Sequence, residues 1–152
     1  MPRRPLAWLL VTALALAACA KPPPAPPAAA PAPIARAADL PQVGRFAGVL
    51  PCNGCLGVRT ELLLAGNWEG LQLYHLSETY LGASQGTRTV ESEGTWVKLR
   101  GVPEDESAIV YQIDPDRPGQ RRHFIVVDER SIRLLDDALQ PIGEPLVRVG
   151  AP

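Results

Sequence analysis

From residue 45 to residue 149 the chain alternates between apolar and polar positions in short runs, and these predict strands. Residues 45–50 are mostly apolar. Residues 58–64 alternate, with Val58, Thr60, Leu62 and Leu64 on one face and Arg59 and Glu61 on the other. Residues 71–76 form the next run, after the turn-prone Ala65-Gly66-Asn67 and Glu69-Gly70. Residues 87–93 put Thr87, Thr89, Glu91 and Glu93 on one side, and 95–99 read as a further strand after Gly94. Residues 108–113 end at Asp114-Pro115. Residues 124–127 and 132–135 flank Asp128-Glu129-Arg130, a hairpin turn, and 146–149 close the sheet. No stretch of this region carries an apolar 3.6-residue period over about eleven residues. Residues 134–139 offer one helical turn at most. The pattern predicts an all-β sandwich or barrel. Phe46, Phe124, Trp68 and Trp96 join Leu, Val and Ile in the candidate core, which suits a small barrel filled by its own side chains.

The start of the chain has a different pattern. Arg3 and Arg4 make a basic head, and residues 6–18 are apolar or small except Thr12, closing on Leu16-Ala17-Ala18-Cys19. Such a run reads as a secretory signal, because spanning a bilayer core takes roughly 20 apolar residues. The Leu-Ala-Ala-Cys box resembles the lipobox of bacterial lipoproteins. That resemblance implies cleavage after residue 18, acylation of Cys19 with palmitate-like chains, and attachment to a membrane through the N-terminal lipid. Ala20, where an Asp would favour the inner membrane, points to the outer membrane, with the body facing the periplasm. Alternatives are an ordinary secretory signal that contains a cysteine, and a twin-arginine signal at Arg3-Arg4, against which Pro5 counts. One acyl chain anchors weakly, at about 0.8 kcal/mol per buried methylene, and two or more anchor stably.

Composition then divides the rest. The signal is residues 1–18, and residues 19–38 are the lipidated cysteine and a Pro/Ala-rich linker. Proline-rich chain of this kind is extended and lacks internal hydrogen bonds, so this disordered tether reaches up to roughly 55 Å. Residues 39–152 suffice for one small domain. Loss of residues 1–18 removes two arginines, leaving 13 Lys+Arg against 16 Asp+Glu, a net charge of −3. This weakly acidic body has no basic footprint for nucleic acid.

Two cysteines remain, in Leu50-Pro51-Cys52-Asn53-Gly54-Cys55-Leu56-Gly57. Four readings of Cys52 and Cys55 stay open. An even count in an exported chain favours a disulfide, and Asn53-Gly54 suits the turn that would join them. Copper(I) accepts soft thiolates, so the pair is also a candidate metal site, although the chain's only methionine is Met1 and zinc normally takes four ligands. A catalytic dithiol normally sits at a helix N-terminus, whereas this pair lies between two predicted strands. Two inert free thiols are the last reading.

The stretch Phe46-Ala47-Gly48-Val49-Leu50-Pro51-Cys52-Asn53-Gly54-Cys55-Leu56-Gly57-Val58-Arg59-Thr60 resembles the opening motif of the NlpE N-terminal domain family. Leu62 and Leu64, Tyr80-Leu81-Gly82, Gly94-Thr95-Trp96 and Leu134-Leu135-Asp136 continue the likeness over residues 43–147. The resemblance implies a small antiparallel β-barrel, similar to a shortened lipocalin. It also implies a non-enzymatic outer-membrane lipoprotein of copper resistance and envelope-stress signalling, with a stress-sensor kinase as partner. Copper is then the one cofactor to consider, and none is obligatory. Gly54 and Leu56 stand where the family pattern carries an acidic residue and a proline. Longer members have a second, OB-like domain with its own cysteine pair, and signalling that depends on it is not implied for this chain. Two alternatives are a binding module for a hydrophobic small molecule or lipid, and a copper(I) buffer acting through Cys52 and Cys55.

No catalytic residues emerge. His75 reads as a satisfied strand histidine and His123 as exposed at a strand start. Glu104-Asp105-Glu106 reads as a solvated charge run, and Asp114 and Asp116 as turn residues around Pro115. Neither a GxSxG elbow nor an HExxH helix occurs.

Overall fold

A computed structural model describes residues 35–67, 70–84 and 86–150. The signal, Cys19, most of the tether and Trp68 lie outside the described residues. Eight strands follow in order: β1 (Gln42–Leu50), β2 (Gly57–Gly66), β3 (Gln72–Leu81), β4 (Arg88–Val102), β5 (Asp105–Ile113), β6 (Arg122–Asp128), β7 (Ser131–Leu135) and β8 (Leu146–Arg148). Each pairs antiparallel with the next, and β8 returns to β1 through Phe46 and Ala47, so the sheet closes into an up-and-down barrel. Closure removes the free edges that a flat sheet of these short strands would expose.

The alternation read from the sequence sets the two faces. Val58, Thr60, Leu62 and Leu64 of β2 are buried, and Arg59 and Glu61 are exposed. Inward side chains from all eight strands meet in one core, which includes Phe46, Leu62, Leu64, Tyr74, Leu76, Trp96, Ile113, Phe124, Ile132 and Leu146. Aromatic rings fill its centre. Trp96 donates its indole N–H to the Ala65 carbonyl at 2.9 Å and meets Tyr111 edge-on at 5.4 Å between centroids.

Leu63 and Ala65 break the alternation, since both are buried on the outer side of β2. A 3-10 turn at Ala37–Asp39 covers them, with Ala37 and Leu40 packed on Leu63, Ala65 and Leu73. The Pro41 carbonyl accepts from Gly66 N–H at 3.0 Å and fixes the turn to the barrel base. The chain thus enters at the base, and β1 carries it to the opposite end, which we call the mouth. Nine residues, with eight steps of about 3.3 Å between them, make that span roughly 26 Å.

One expectation is corrected. The expected strands 87–93 and 95–99 merge, from Arg88 on, into a single fifteen-residue strand, β4, which runs through Gly94 without a turn. Gly94 is there for space. A Cβ at this position would lie 2.5 Å from Asp114 Oδ1 and 2.9 Å from Tyr74 Cε1. The same strand also changes partners at this point. It pairs with β3 over Arg88–Thr95 and with β5 over Trp96–Val102. Its first half therefore has one hydrogen-bonded neighbour, and the barrel wall is parted there beside the loop 114–121.

Candidate functional site at the barrel mouth

The loop 51–56 joins β1 to β2 at the mouth, and Cys52 and Cys55 within it are disulfide-bonded, with Cα atoms 5.8 Å apart. Gly54 has φ +81°, a left-handed conformation that an L side chain rarely adopts and that turns the chain between the two cysteines. Leu56 N–H donates to the Leu81 carbonyl at 2.8 Å, tying the loop to the end of β3. The Leu56 side chain projects outward and is 86% exposed. As a disulfide the sulfurs are not thiolate ligands, so any metal chemistry here begins with reduction.

Cys52 lines a cavity of about 390 Å³ together with His123, Glu78, Arg122, Asp136 and Asp137. His123 is half-buried, correcting the expectation of exposure, and its Nε2 lies 3.0 Å from Gln112 Nε2. Burial, and after it the Arg121 charge, hold the His123 imidazolium below its ordinary pKa. His75 sits on the outer wall against Glu91 at 3.1 Å, away from the cysteine loop. Among the described residues no three His, Cys, Asp or Glu side chains cluster as a metal site would require.

A second cavity, of about 410 Å³, adjoins the first and shares Glu78, Tyr80, Arg121 and Arg122 with it. Two ion pairs frame it. Glu78 accepts two hydrogen bonds from Arg122, at 2.6 and 3.0 Å, and is buried while the arginine is partly open to solvent. These bonds push the Arg122 guanidinium pKa up. Asp114 is buried, accepts the Tyr74 hydroxyl at 2.6 Å and pairs with Arg117, which also donates to the Glu93 carbonyl at 3.1 Å. Burial, and then the Asp114 hydrogen bond and charge, push the Tyr74 phenol up to about 12. Asp114 takes φ +52°, a conformation that aspartate tolerates better than most residues.

The sequence reading places the cysteine pair in a loop, as a candidate disulfide or metal site, and names no polar groups around it. It missed Glu78, Arg122, Tyr74 and the buried role of Asp114. One signal was present. Tyr74, Leu76, Glu78 and Tyr80 share a face of β3, and an acid at the third of those inward positions asks for a buried partner.

The NlpE N-terminal domain family matches residues 46–144, from β1 to the loop before β8. The chain belongs to the NlpE N-terminal domain family. Lipoprotein NlpE of Escherichia coli (strain K12) is 39% identical over 67 residues, covering 42% of this chain and 26% of that relative. The match therefore spans about a quarter of the curated relative's length. No solved structure matches the chain. Within the NlpE-type match lie the disulfide loop, both ion pairs and the parted wall of the barrel.

Proposed function

We propose that this protein is a non-enzymatic envelope lipoprotein, acylated at Cys19 and held at the outer membrane, that acts in copper resistance and envelope-stress signalling. Membership of the NlpE N-terminal domain family supports this reading, together with the Leu16-Ala17-Ala18-Cys19 box. The observation that carries it is the polarity of the barrel. Residues 35–41 join the barrel at its base, and the Cys52–Cys55 loop lies at the opposite end. A barrel tethered at its base offers that loop to the periplasm and to a sensor kinase beyond it. Reduced, the two cysteines supply soft thiolates suited to copper(I); oxidised, they supply none.

The hydrophobic-carrier alternative has less to rest on. Tyr74, Phe46 and Phe124 fill the middle of the barrel, and ion pairs border the cavities at its mouth.

Intact mass of the membrane-extracted protein, after thiol alkylation, tests the anchor and the bridge together. The expected species begins at Cys19, carries acyl chains and takes up no alkylating agent. An unprocessed chain in the cytosol with alkylated cysteines overturns the reading. Copper titration of the reduced full chain beside a Cys52→Ser/Cys55→Ser variant tests the metal part. Equal uptake by the two removes the pair as ligands.

A further inference from the structure

We propose that the mouth of the barrel binds a small oxyanion, a carboxylate or phosphate group, between Arg88 and Arg121. This site is separate from the cysteine chemistry and does not depend on the lipid anchor.

The parted wall creates the site. Along its first half β4 has β3 alone beside it as a paired strand, and the loop 114–121 borders the gap, bonded to β4 through Asp114 N–H to the Thr95 carbonyl and Arg117 to the Glu93 carbonyl. The space left is the cavity of about 410 Å³, large enough for a small organic acid or phosphate ester. Arg88 enters it from the start of β4, and Arg121 from the end of the loop.

Charge decides what fits. The acids lining this cavity are Glu78 and Asp114, and each is already engaged by an arginine, Arg122 and Arg117 respectively. Arg88 and Arg121 form no ion pair among the described residues. Arg121 gives one nitrogen to the Pro115 carbonyl at 2.7 Å and keeps its remaining donors. The cavity therefore holds two cations without counter-ions and no unengaged acid. A guanidinium presents its N–H groups as a planar fork that matches the two oxygens of a carboxylate or phosphate. Tyr80 and Gln120 add neutral donors to the same lining. The adjoining cavity is a poorer place for an anion, because Asp136 and Asp137 line it.

The test is an amide chemical-shift titration of the 15N-labelled full chain in neutral maltoside micelles. The probes are inorganic phosphate, succinate and dihexanoyl phosphatidylglycerol, with dihexanoyl phosphatidylcholine as the zwitterionic control. Saturable shifts are expected at Arg88, Gln120 and Arg121, weakening as salt is added. Arg88→Ala and Arg121→Ala should each weaken binding about tenfold, since each removes a charge-assisted contact. Arg121→Lys should recover part of the loss, and Arg59→Ala, on the outer wall, should change nothing. Tighter saturation by the phosphatidylglycerol than by phosphate or succinate assigns the group to a lipid headgroup; the reverse order assigns it to a free anion. The proposal fails if no anionic probe saturates these amides, or if the alanine variants titrate as the parent does.

Discussion

Replacing Gly94 with alanine puts a methyl group into the contact between Tyr74, Asp114 and Arg117. The backbone at Gly94 is not left-handed, so it accepts the new residue, and the cost is steric. The added carbon would sit 2.5 Å from Asp114 Oδ1, 2.6 Å from Arg117 Nη2 and 2.9 Å from Tyr74 Cε1. That is about 1 Å inside the separation of roughly 3.5 Å at which such atoms rest. Arg117 is half-exposed and can swing away, losing its pair with Asp114. Asp114 cannot follow, because it is buried and held by the Tyr74 hydroxyl. Overpacking of this kind costs about 1–3 kcal/mol, and the half-exposed ion pair adds up to about 1 kcal/mol. Glycine to alanine in a strand returns about 0.5–1 kcal/mol through the unfolded chain, which leaves a net loss near 2 kcal/mol. Urea unfolding followed by tryptophan fluorescence reads this directly, since Trp96 is buried beside Ala65. The decisive comparison uses an Asp114→Ala background, which removes the nearest obstacle and frees Arg117. There Gly94→Ala should cost less than about 0.5 kcal/mol, a coupling well beyond the additivity of independent sites. Equal costs in the two backgrounds, or no cost in the parent, would refute the argument that Gly94 exists to admit this cluster.

Three further outcomes are expected. The folded Tyr74 phenol, near 12, lies above its unfolded value of 10.0, so the folded state keeps the proton longer. Stability from this group is complete below pH 10 and falls as pH rises through 12, by up to about 2–3 kcal/mol. Absorbance titration at the tyrosinate band should show one late-ionising tyrosine that Tyr74→Phe removes, and the variant should lose the excess alkaline destabilisation. Arg122→Ala strands Glu78 in the mouth, and the loss should be about 2 kcal/mol after discounting for the exposed side of the pair, measured by urea midpoint. In that case Glu78→Gln with Arg122→Met should recover most of it. Cys52→Ser/Cys55→Ser opens a loop of sequence separation 3, so it should cost only about 2 kcal/mol and leave the far-UV circular dichroism of the barrel unchanged.

The strands were legible because this barrel is mostly regular alternation. Val58, Thr60, Leu62 and Leu64 fall on the inner face as their spacing indicates, and Asp128-Glu129-Arg130 turns the chain between β6 and β7. Gly94 misled the reading because a glycine in a strand signals either a break or a close approach, and local sequence does not choose between them. The atoms that decide it come from Asp114 and Arg117, twenty or more residues away. Leu63 and Ala65 were hidden for a related reason: part of their cover, Ala37, belongs to a segment whose composition reads as linker. The Glu78–Arg122 pair joins residues 44 apart, and no pattern within one strand records a partner that only barrel closure supplies.

The packed turn at the barrel base also governs how a pull on the N-terminal segment would be felt. Such a load reaches the Ala37 and Leu40 contacts and the Pro41–Gly66 hydrogen bond before it reaches β1. That first attachment is small, whereas β1 is laced to β2 along nearly its whole length. Under strain the leash therefore pays out by the few residues before Gln42 while the eight staves stay hooped together.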